Sequence, residues 1–208
     1  ITITGNTVID ALFMIRDKLL ADAEQMLALD REFPFPTNGR RLVLVTGHRR
    51  ENFGPGFENI CAALGDLSNR EDIEIVYPVH LNPNVQKPVL NMLSNLDNVH
   101  LIEPVDYRRF VYLMMKAYIV ITDSGGVQEE APSLGKPVLV MRDVTERPEA
   151  VDAGTVRLVG TERLRIEAEA NRLLDEPVAY EEMSRAHNPY GDGHAAERIV
   201  KRIQQYVG

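Results

Sequence analysis

The chain has 208 residues, a formal net charge of -8 at pH 7 and a single cysteine, Cys61. Its basic residues are scattered or locally clustered and form no long stripe, so we expect no broad nucleic-acid binding. One cysteine excludes an internal disulfide and a cysteine-rich metal site, and it is compatible with a reducing compartment. No apolar run approaches the roughly 20 residues of a membrane span, and the first residues lack a basic signal-peptide region. These features predict a soluble, cytoplasmic protein without membrane contact.

The length predicts one α/β domain. We expect this domain to cover residues 1–208, with a linker and first helix at 1–30, a core sheet at 41–160 and C-terminal helices at 161–208. The sequence begins without an initiator methionine, inside a predicted short strand at 1–4. This start suggests a fragment cut at a domain junction.

The N-terminal part predicts one long amphipathic helix over about 8–26, because apolar residues recur there at helical spacing behind a cap at Asn6 or Thr7. A loop at 33–41 follows, which contains two prolines and the pair Asn38-Gly39. Buried apolar runs then alternate with helical patterns. The predicted strands are 42–46, 73–79, 99–102, 118–122, 137–141 and 156–159. The predicted helices are 57–67, 85–93, 107–117, one from 128, 148–153, 162–174, 179–186 and 194–206.

This alternation predicts an α/β fold with a doubly wound, Rossmann-like parallel sheet, because each right-handed crossover needs a helix on a face of the sheet. In such sheets the ligand lies beyond the carboxyl ends of the strands. Five segments should therefore converge on one rim: 47–51, 80–82, 103–106, 123–126 and 142–147.

The segment 118–140 combines a buried strand with a small-residue turn and the start of a helix. The turn consists of Asp123, Ser124, Gly125 and Gly126, and it opens directly into helix-forming residues. Unpaired backbone N–H groups at such a turn bind an anion, typically a phosphate, and glycine lets the ligand approach the backbone closely. The alternative is that Ser124 only caps the helix while the glycines make a tight turn.

Two further strand ends carry histidines. His48 is followed by Arg49 and Arg50, and imidazole and guanidinium groups both donate hydrogen bonds to phosphate oxygens. A solvated basic loop is the alternative. His80 precedes an Asn-Pro turn and is more typical of a structural residue, although its place on the rim keeps it a candidate.

Glu130 lies about one turn into the helix that the glycines open, where a carboxylate can accept the hydroxyls of a ribose. Acidic residues near a helix N-terminus are also favoured by the helix dipole, which is the alternative for Glu130 and our only explanation for Glu129. Arg147 is a candidate phosphate or carboxylate clamp, with surface solvation as its alternative. Phe110 could stack on a base, although core packing fits its surroundings at least as well.

Signatures of several other chemistries are lacking. The sequence contains no G-x-G-x-x-G, Walker A, H-E-x-x-H or G-x-S-x-G motif, so dehydrogenase, P-loop, zincin and hydrolase readings have no support. The five histidines show no metal-ligand spacing. We predict no metal site.

Five stretches together resemble the C-terminal half of the non-hydrolysing UDP-N-acetylglucosamine 2-epimerases: VTGHRREN, YPVHLNPNV, ITDSGGVQEEAPSLGKPVLVMRDVTERPEA, AGTVRLVG and, downstream, SRAHNPYGDGHAAERI. The resemblance runs over almost the whole chain. It implies the UDP-binding domain of a two-domain GT-B architecture whose active site lies between the domains. The implied partners are UDP and UDP-N-acetylglucosamine, the N-terminal domain, and a second copy in a homodimer; no cofactor is implied.

The resemblance also implies roles for individual residues. Ser124, Gly125 and Gly126 would hold the diphosphate and Glu130 the ribose. His48 and Arg147 would contact the phosphate region.

The segment around Val105 and Phe110 would border the uracil. A relative has Gln at the position of Val105, so a base contact there would come from the backbone. Some members bind a second UDP-N-acetylglucosamine as an activator, for which Arg49, Arg50 and His80 are the candidates.

The implied reaction interconverts UDP-N-acetylglucosamine and UDP-N-acetylmannosamine by eliminating UDP and adding it back with opposite configuration at C2. The carboxylates that act as base and acid would lie in the N-terminal domain, so this chain alone is expected to be inactive. Two other functions stay open at this point: a GT-B glycosyltransferase, and a nucleotide-sugar-binding regulatory module without chemistry.

Overall fold

The fold is built on one six-stranded sheet. The computed structural model of the chain describes residues 1–36 and 39–207, with the side chain of residue 207 left out, so Asn38 of the predicted loop and residue 208 of the predicted C-terminal segment lie outside the described residues. The strands are β1 (Arg41–Thr46), β2 (Ile73–Pro78), β3 (Val99–Ile102), β4 (Ala117–Thr122), β5 (Val138–Val140) and β6 (Val156–Leu158). Every neighbouring pair is parallel. This confirms the predicted doubly wound α/β sheet.

The strand order is β3-β2-β1-β4-β5-β6. The chain therefore moves outward from β1 in one direction, returns, and continues from β4 in the other direction. In register, Leu44 lies opposite Val76 on one side and Val120 on the other. Such central strands are rich in β-branched and apolar residues because both of their faces are buried.

Ten α-helices are present among the described residues. They are α1 (Thr7–Ala21), α2 (Ala23–Glu32), α3 (Pro55–Leu67), α4 (Pro83–Leu93), α5 (Tyr107–Lys116), α6 (Gly125–Glu130), α7 (Pro148–Asp152), α8 (Arg163–Asp175), α9 (Pro177–Ser184) and α10 (Ala195–Val207). Two core clusters lie on opposite faces of the sheet. One contains side chains of α3, α4, α8 and α9, and the other contains those of α1, α2 and α5. Within the described ranges, no helix is both long and apolar enough to cross a membrane.

From β1 onward most element bounds lie within two residues of the predicted ones, but α6 starts earlier than expected. It begins at Gly125 instead of residue 128, and a 3-10 turn (Ala131–Leu134) follows it directly. Gly135 ends this turn with φ +68°, a left-handed conformation that glycine adopts without strain. The two glycines of the small-residue turn are thus the first two residues of α6.

The predicted strand at residues 1–4 is wrong. This segment has no regular secondary structure, and both Ile1 and Ile3 are exposed. A short β-branched run becomes a strand only where a neighbouring strand pairs with its backbone. Among the described residues none pairs with it.

The single long helix predicted over 8–26 is also wrong, because the chain breaks at Asp22. Asn6 caps α1, as one of the two predicted alternatives, by accepting from the backbone N–H of Val8 at 3.0 Å. Asp22 has extended backbone angles, φ -116° and ψ 90°, and its side chain accepts from the N–H of Gln25 at 2.9 Å. The apolar spacing continues across the break, so the periodicity could not locate it.

Replacing this cap tests its contribution to stability. We expect Asp22→Ala to lower the free energy of unfolding by about 1 kcal/mol, because the Gln25 N–H loses its acceptor. Asp22→Asn is the matched control, since asparagine caps equally well, and it should leave the stability nearly unchanged. Urea denaturation of the three proteins measures both effects; equal losses in the two variants would contradict a capping role.

Candidate active site

A pocket of about 230 Å³ opens at the carboxyl ends of the first four strands. Its lining residues are Thr46, Gly47, His48, Pro78, His80, Pro104, Val105, Phe110, Ser124 and Val127. Four of the five segments expected on the rim thus contribute to one cavity. The pocket lies where β1 and β4 are neighbours and their connections run in opposite directions, which is the place where open α/β sheets bind ligands.

The loop after β1 is packed tightly against the core at Gly47. A Cβ at this position would lie 3.0 Å from the Tyr77 hydroxyl oxygen and 3.3 Å from the Phe57 ring. The Tyr77 hydroxyl donates to the Gly47 carbonyl oxygen at 3.2 Å. A side chain here would therefore crowd Tyr77 and Phe57, and this packing places the next residue, His48, beside the pocket.

His48 stands at the mouth of the pocket with 44% of its side chain exposed. Its ring is stacked on that of His80, with centroids 5.4 Å apart and ring planes 18° from parallel. The two histidines come from the ends of neighbouring strands, β1 and β2. The structure thus joins His80 to the same pocket wall as His48.

Asp123, at the end of β4, holds the loop after β1 in place. Its carboxylate is fully buried, and Oδ2 accepts from the backbone N–H groups of His48 at 2.9 Å and Arg49 at 2.8 Å. The side-chain amide of Asn52 is a third donor at 3.3 Å. A buried carboxylate needs such donors, because burial without them carries a large desolvation cost. Asp123 was only part of the predicted turn, and its partners lie too far away in sequence for the pattern to reveal them.

Ser124 precedes α6 in the capping position, yet its side chain makes no capping hydrogen bond to the described backbone. Its own N–H donates to the Thr122 hydroxyl at 3.0 Å. Ser124 is half-buried and lines the pocket. The alternative in which Ser124 only caps the helix therefore does not describe this site.

Two guanidinium groups flank the first residue of α6. A Cβ on Gly125 would lie 3.8 Å from Nη2 of Arg147 and 3.8 Å from Nη2 of Arg49, and a Cβ on Gly126 would meet only the Ser124 hydroxyl, at 4.0 Å. The start of α6 therefore combines bare backbone with two positive charges. This is an arrangement suited to a multiply charged anion.

Arg147 is oriented by acidic neighbours. Its Nε donates to the buried Glu129 carboxylate, and its Nη1 donates to the Glu146 carbonyl oxygen at 3.0 Å. Glu129 also accepts from the side-chain amide of Asn6 at 2.8 Å. The helix-dipole explanation of Glu129 was incomplete, because this carboxylate fixes the arginine beside Gly125.

Glu130 is buried one turn after Gly126, where its Oε1 accepts a hydrogen bond from the hydroxyl of Tyr107 at the start of α5. Burial raises the pKa of Glu130 above its usual value, the Tyr107 hydrogen bond opposes this shift, and the Glu129 charge adds to it. Burial and the neighbouring carboxylate raise the pKa of Tyr107. Glu130 is not among the pocket-lining residues, and Tyr107 was absent from the predicted site.

The remaining candidates divide into two groups. Val105 and Phe110 line the apolar side of the pocket. Arg50 is exposed at the start of the 3-10 turn Arg50–Asn52 and is not among the residues that line the pocket. The described part of the chain contains no group of three or more His, Cys, Asp or Glu residues that could hold a metal ion.

Comparison with known proteins matches this chain to relatives along nearly all its length. The model of the family described as UDP-N-acetylglucosamine 2-epimerase matches residues 1–204. A probable UDP-N-acetylglucosamine 2-epimerase from Ralstonia nicotianae is 61% identical over 207 residues, which are 99% of this chain and 55% of the relative. The chain thus spans about half the length of this curated relative.

Two solved structures share the fold. The UDP-N-acetylglucosamine 2-epimerase from Neisseria meningitidis, bound to UDP-N-acetylglucosamine, is 50% identical with a TM-score of 0.93, over 98% of this chain and 55% of that one. A complex of S. aureus MnaA with UDP is 43% identical with a TM-score of 0.87, over 99% and 54% of the two chains. On the family match and these identities, the chain belongs to the UDP-N-acetylglucosamine 2-epimerase family.

Proposed function

We propose that this chain is the UDP-binding half of a two-domain GT-B enzyme that interconverts UDP-N-acetylglucosamine and UDP-N-acetylmannosamine. The observation that carries the proposal is the start of α6, where exposed backbone, Ser124 and two guanidinium groups surround Gly125. The solved relative from Neisseria meningitidis, which is bound to UDP-N-acetylglucosamine, supports the same ligand for this family member. The proposed domain is residues 1–208, with the sheet of 41–160 forming the site.

The diphosphate is assigned to Ser124, Gly125, Gly126 and the Arg147 guanidinium, with His48 on the opposite side. Glu130, held by Tyr107, accepts the ribose hydroxyls. Val105 and Phe110 border the base, on the apolar wall of the pocket. Arg49 lies with Arg147 at Gly125, so we assign it to the diphosphate and leave Arg50 and His80 as the candidates for a second, activating nucleotide sugar.

The proposed UDP-binding half contributes to the reaction by electrostatic stabilisation of the departing UDP. When the bond between sugar C1 and the phosphate oxygen breaks, negative charge develops on the departing UDP, and preorganised donors stabilise that charge most strongly in the transition state. His48 and Arg147 supply such donors. The carboxylates that remove and return the C2 proton are assigned to the other half of the enzyme, and a homodimer is the proposed assembly.

Activity measurements on two proteins test the proposal. The full-length enzyme should convert UDP-N-acetylglucosamine into the C2 epimer, as followed by proton NMR, and the 208-residue chain should bind UDP without turnover. Turnover by the chain alone would contradict the placement of the base and acid. Sugar transfer to an acceptor without epimerisation by the full-length protein would favour a glycosyltransferase.

Removing the Ser124 hydroxyl tests whether this residue binds the diphosphate. Ser124→Ala should weaken UDP binding to the chain by about 1–3 kcal/mol, since a hydrogen bond to a charged phosphate is lost. Ser94→Ala is the control, because Ser94 is the C-cap of α4 at the opposite edge of the sheet. Isothermal titration calorimetry measures the UDP dissociation constants of both variants. An unchanged dissociation constant for Ser124→Ala would show that Ser124 does not bind the diphosphate.

Glu130 should show opposite effects on stability and binding. The pKa of Glu130 is raised in the folded state, so ionisation of its carboxyl group favours unfolding. The stabilisation that protonated Glu130 contributes to the fold is therefore present at low pH and is lost as the pH rises through the folded-state pKa. Glu130→Gln should therefore be at least as stable as the parent at pH 7, yet bind UDP more weakly because a neutral amide replaces the carboxylate acceptor. Thermal unfolding and calorimetry measure the pair of effects. A destabilised variant with unchanged UDP affinity would show that Glu130 is only structural.

Replacing His48 should lower turnover more than it weakens UDP binding. In the full-length enzyme we expect His48→Ala to lower kcat about 100-fold or more, with a smaller effect on the UDP dissociation constant, because a donor aimed at developing charge matters most in the transition state. His194→Ala is the control, since His194 is 64% exposed beside Glu197 at the start of α10. Steady-state kinetics and calorimetry test the split, and an unaltered kcat would exclude His48 from the site.

A further inference from the structure

One oxygen of the Asp123 carboxylate has no hydrogen-bond partner among the described residues. This atom, Oδ1, is buried, whereas Oδ2 carries the three N–H donors of the loop after β1. The Nδ1 atom of His48 lies 3.6 Å from Oδ1. An unsatisfied buried carboxylate oxygen is costly, so a donor at this distance is a strong candidate for its partner.

Two contacts hold His48 beside Asp123, one to its backbone and one to its ring. The backbone N–H of His48 donates to Oδ2 of the same carboxylate, so the backbone of His48 is held beside Asp123. The stacked ring of His80 covers one face of the imidazole. A slight rotation of the His48 ring brings Nδ1 within hydrogen-bond distance of Oδ1, and it leaves Nε2 as the ring nitrogen available to the pocket.

We propose that Asp123 is a positioning residue for His48: its Oδ1 accepts a hydrogen bond from Nδ1–H and favours the imidazolium form, whose Nε2–H donates to the phosphate. This inference rests on the proposed function, in which His48 faces the departing diphosphate. A neutral imidazole protonated on Nδ1 has a bare Nε2 and cannot donate there. The phosphate contact therefore requires the imidazolium, which a nearby carboxylate stabilises.

Other groups near His48 act in the opposite direction. Arg49 and Arg50 follow it directly, and His80 stacks on it; positive charge on any of them disfavours a second cation. Tyr77, below Gly47, stays neutral because burial raises its pKa well above the usual value. Glu146 pairs with Arg49 at 3.8 Å, and the Asp123 carboxylate lies beside the imidazole itself, with Oδ1 3.6 Å from Nδ1.

Histidine ring NMR on the 208-residue chain tests the proposal without nucleotide. In the unaltered chain, neutral His48 should carry its proton on Nδ1, and Asp123→Asn should move that proton to Nε2 in most molecules, because the carboxylate acceptor beside Nδ1 is lost. Asn52→Ala is the matched control: it removes a donor from Oδ2 but leaves Oδ1 unaltered, so the proton of neutral His48 should stay on Nδ1. Loss of one ring signal in His48→Gln provides the assignment.

Two results would overturn the inference. One is the same tautomer of neutral His48 in the parent chain and in Asp123→Asn, and the other is a neutral His48 of the parent chain that carries its proton on Nε2. The second measurement uses the unaltered chain, so it decides the question even where Asp123→Asn does not fold. UDP titration of the same sample separately tests the proposed function, because the tautomer is read before UDP is added.

Discussion

The buried carboxylate of Asp123 is the interaction on which the candidate site depends, because it ties the loop after β1 to the end of β4. Only a parallel arrangement of these two strands brings their carboxyl ends side by side. The loop carries His48 and Arg49, and the residue after Asp123 begins the approach to α6. One contact therefore sets the distance between the histidine side and the glycine side of the pocket.

The positive character of this rim is local. The chain as a whole carries a net charge of -8, yet Arg49 and Arg147 both reach Gly125. Nε of Arg147 donates to the Glu129 carboxylate and Nη1 donates to the Glu146 carbonyl oxygen, which leaves Nη2 directed at the start of α6. The Glu146 contact is made by its backbone carbonyl oxygen, and the Glu129–Arg147 ion pair, whose arginine is 34% exposed, adds little to stability. Their value lies in orientation, since a guanidinium that is already placed loses less freedom when an anion binds.

The sequence predicted the sheet and the rim well, for a physical reason. Strands buried on both faces are continuous apolar runs, and the glycines and charged residues that end them mark the rim independently of the tertiary structure. The prediction of a strand at residues 1–4 was wrong because a local β-branched pattern contains no information on whether a neighbouring strand is present to pair with it. The break at Asp22 was missed because the apolar spacing is similar on both sides of it.

The roles of Asp123, Glu129 and Tyr107 depend on contacts that no local pattern contains. Asp123 binds the backbone 75 residues earlier, and Glu129 binds Asn6 at a separation of 123 residues. Tyr107 reaches Glu130 across 23 residues and two elements. An acidic residue near a helix start is favoured by the dipole in any case, so only the folded structure separates that general preference from a specific partner.

A crystal structure of the 208-residue chain with UDP tests the central claim most directly. The account predicts diphosphate oxygens within hydrogen-bond distance of the Gly125 and Gly126 N–H groups, with the ribose hydroxyls on Glu130. UDP bound instead in the polar concavity near Arg40 and Arg70, at the amino edge of the sheet, would contradict it.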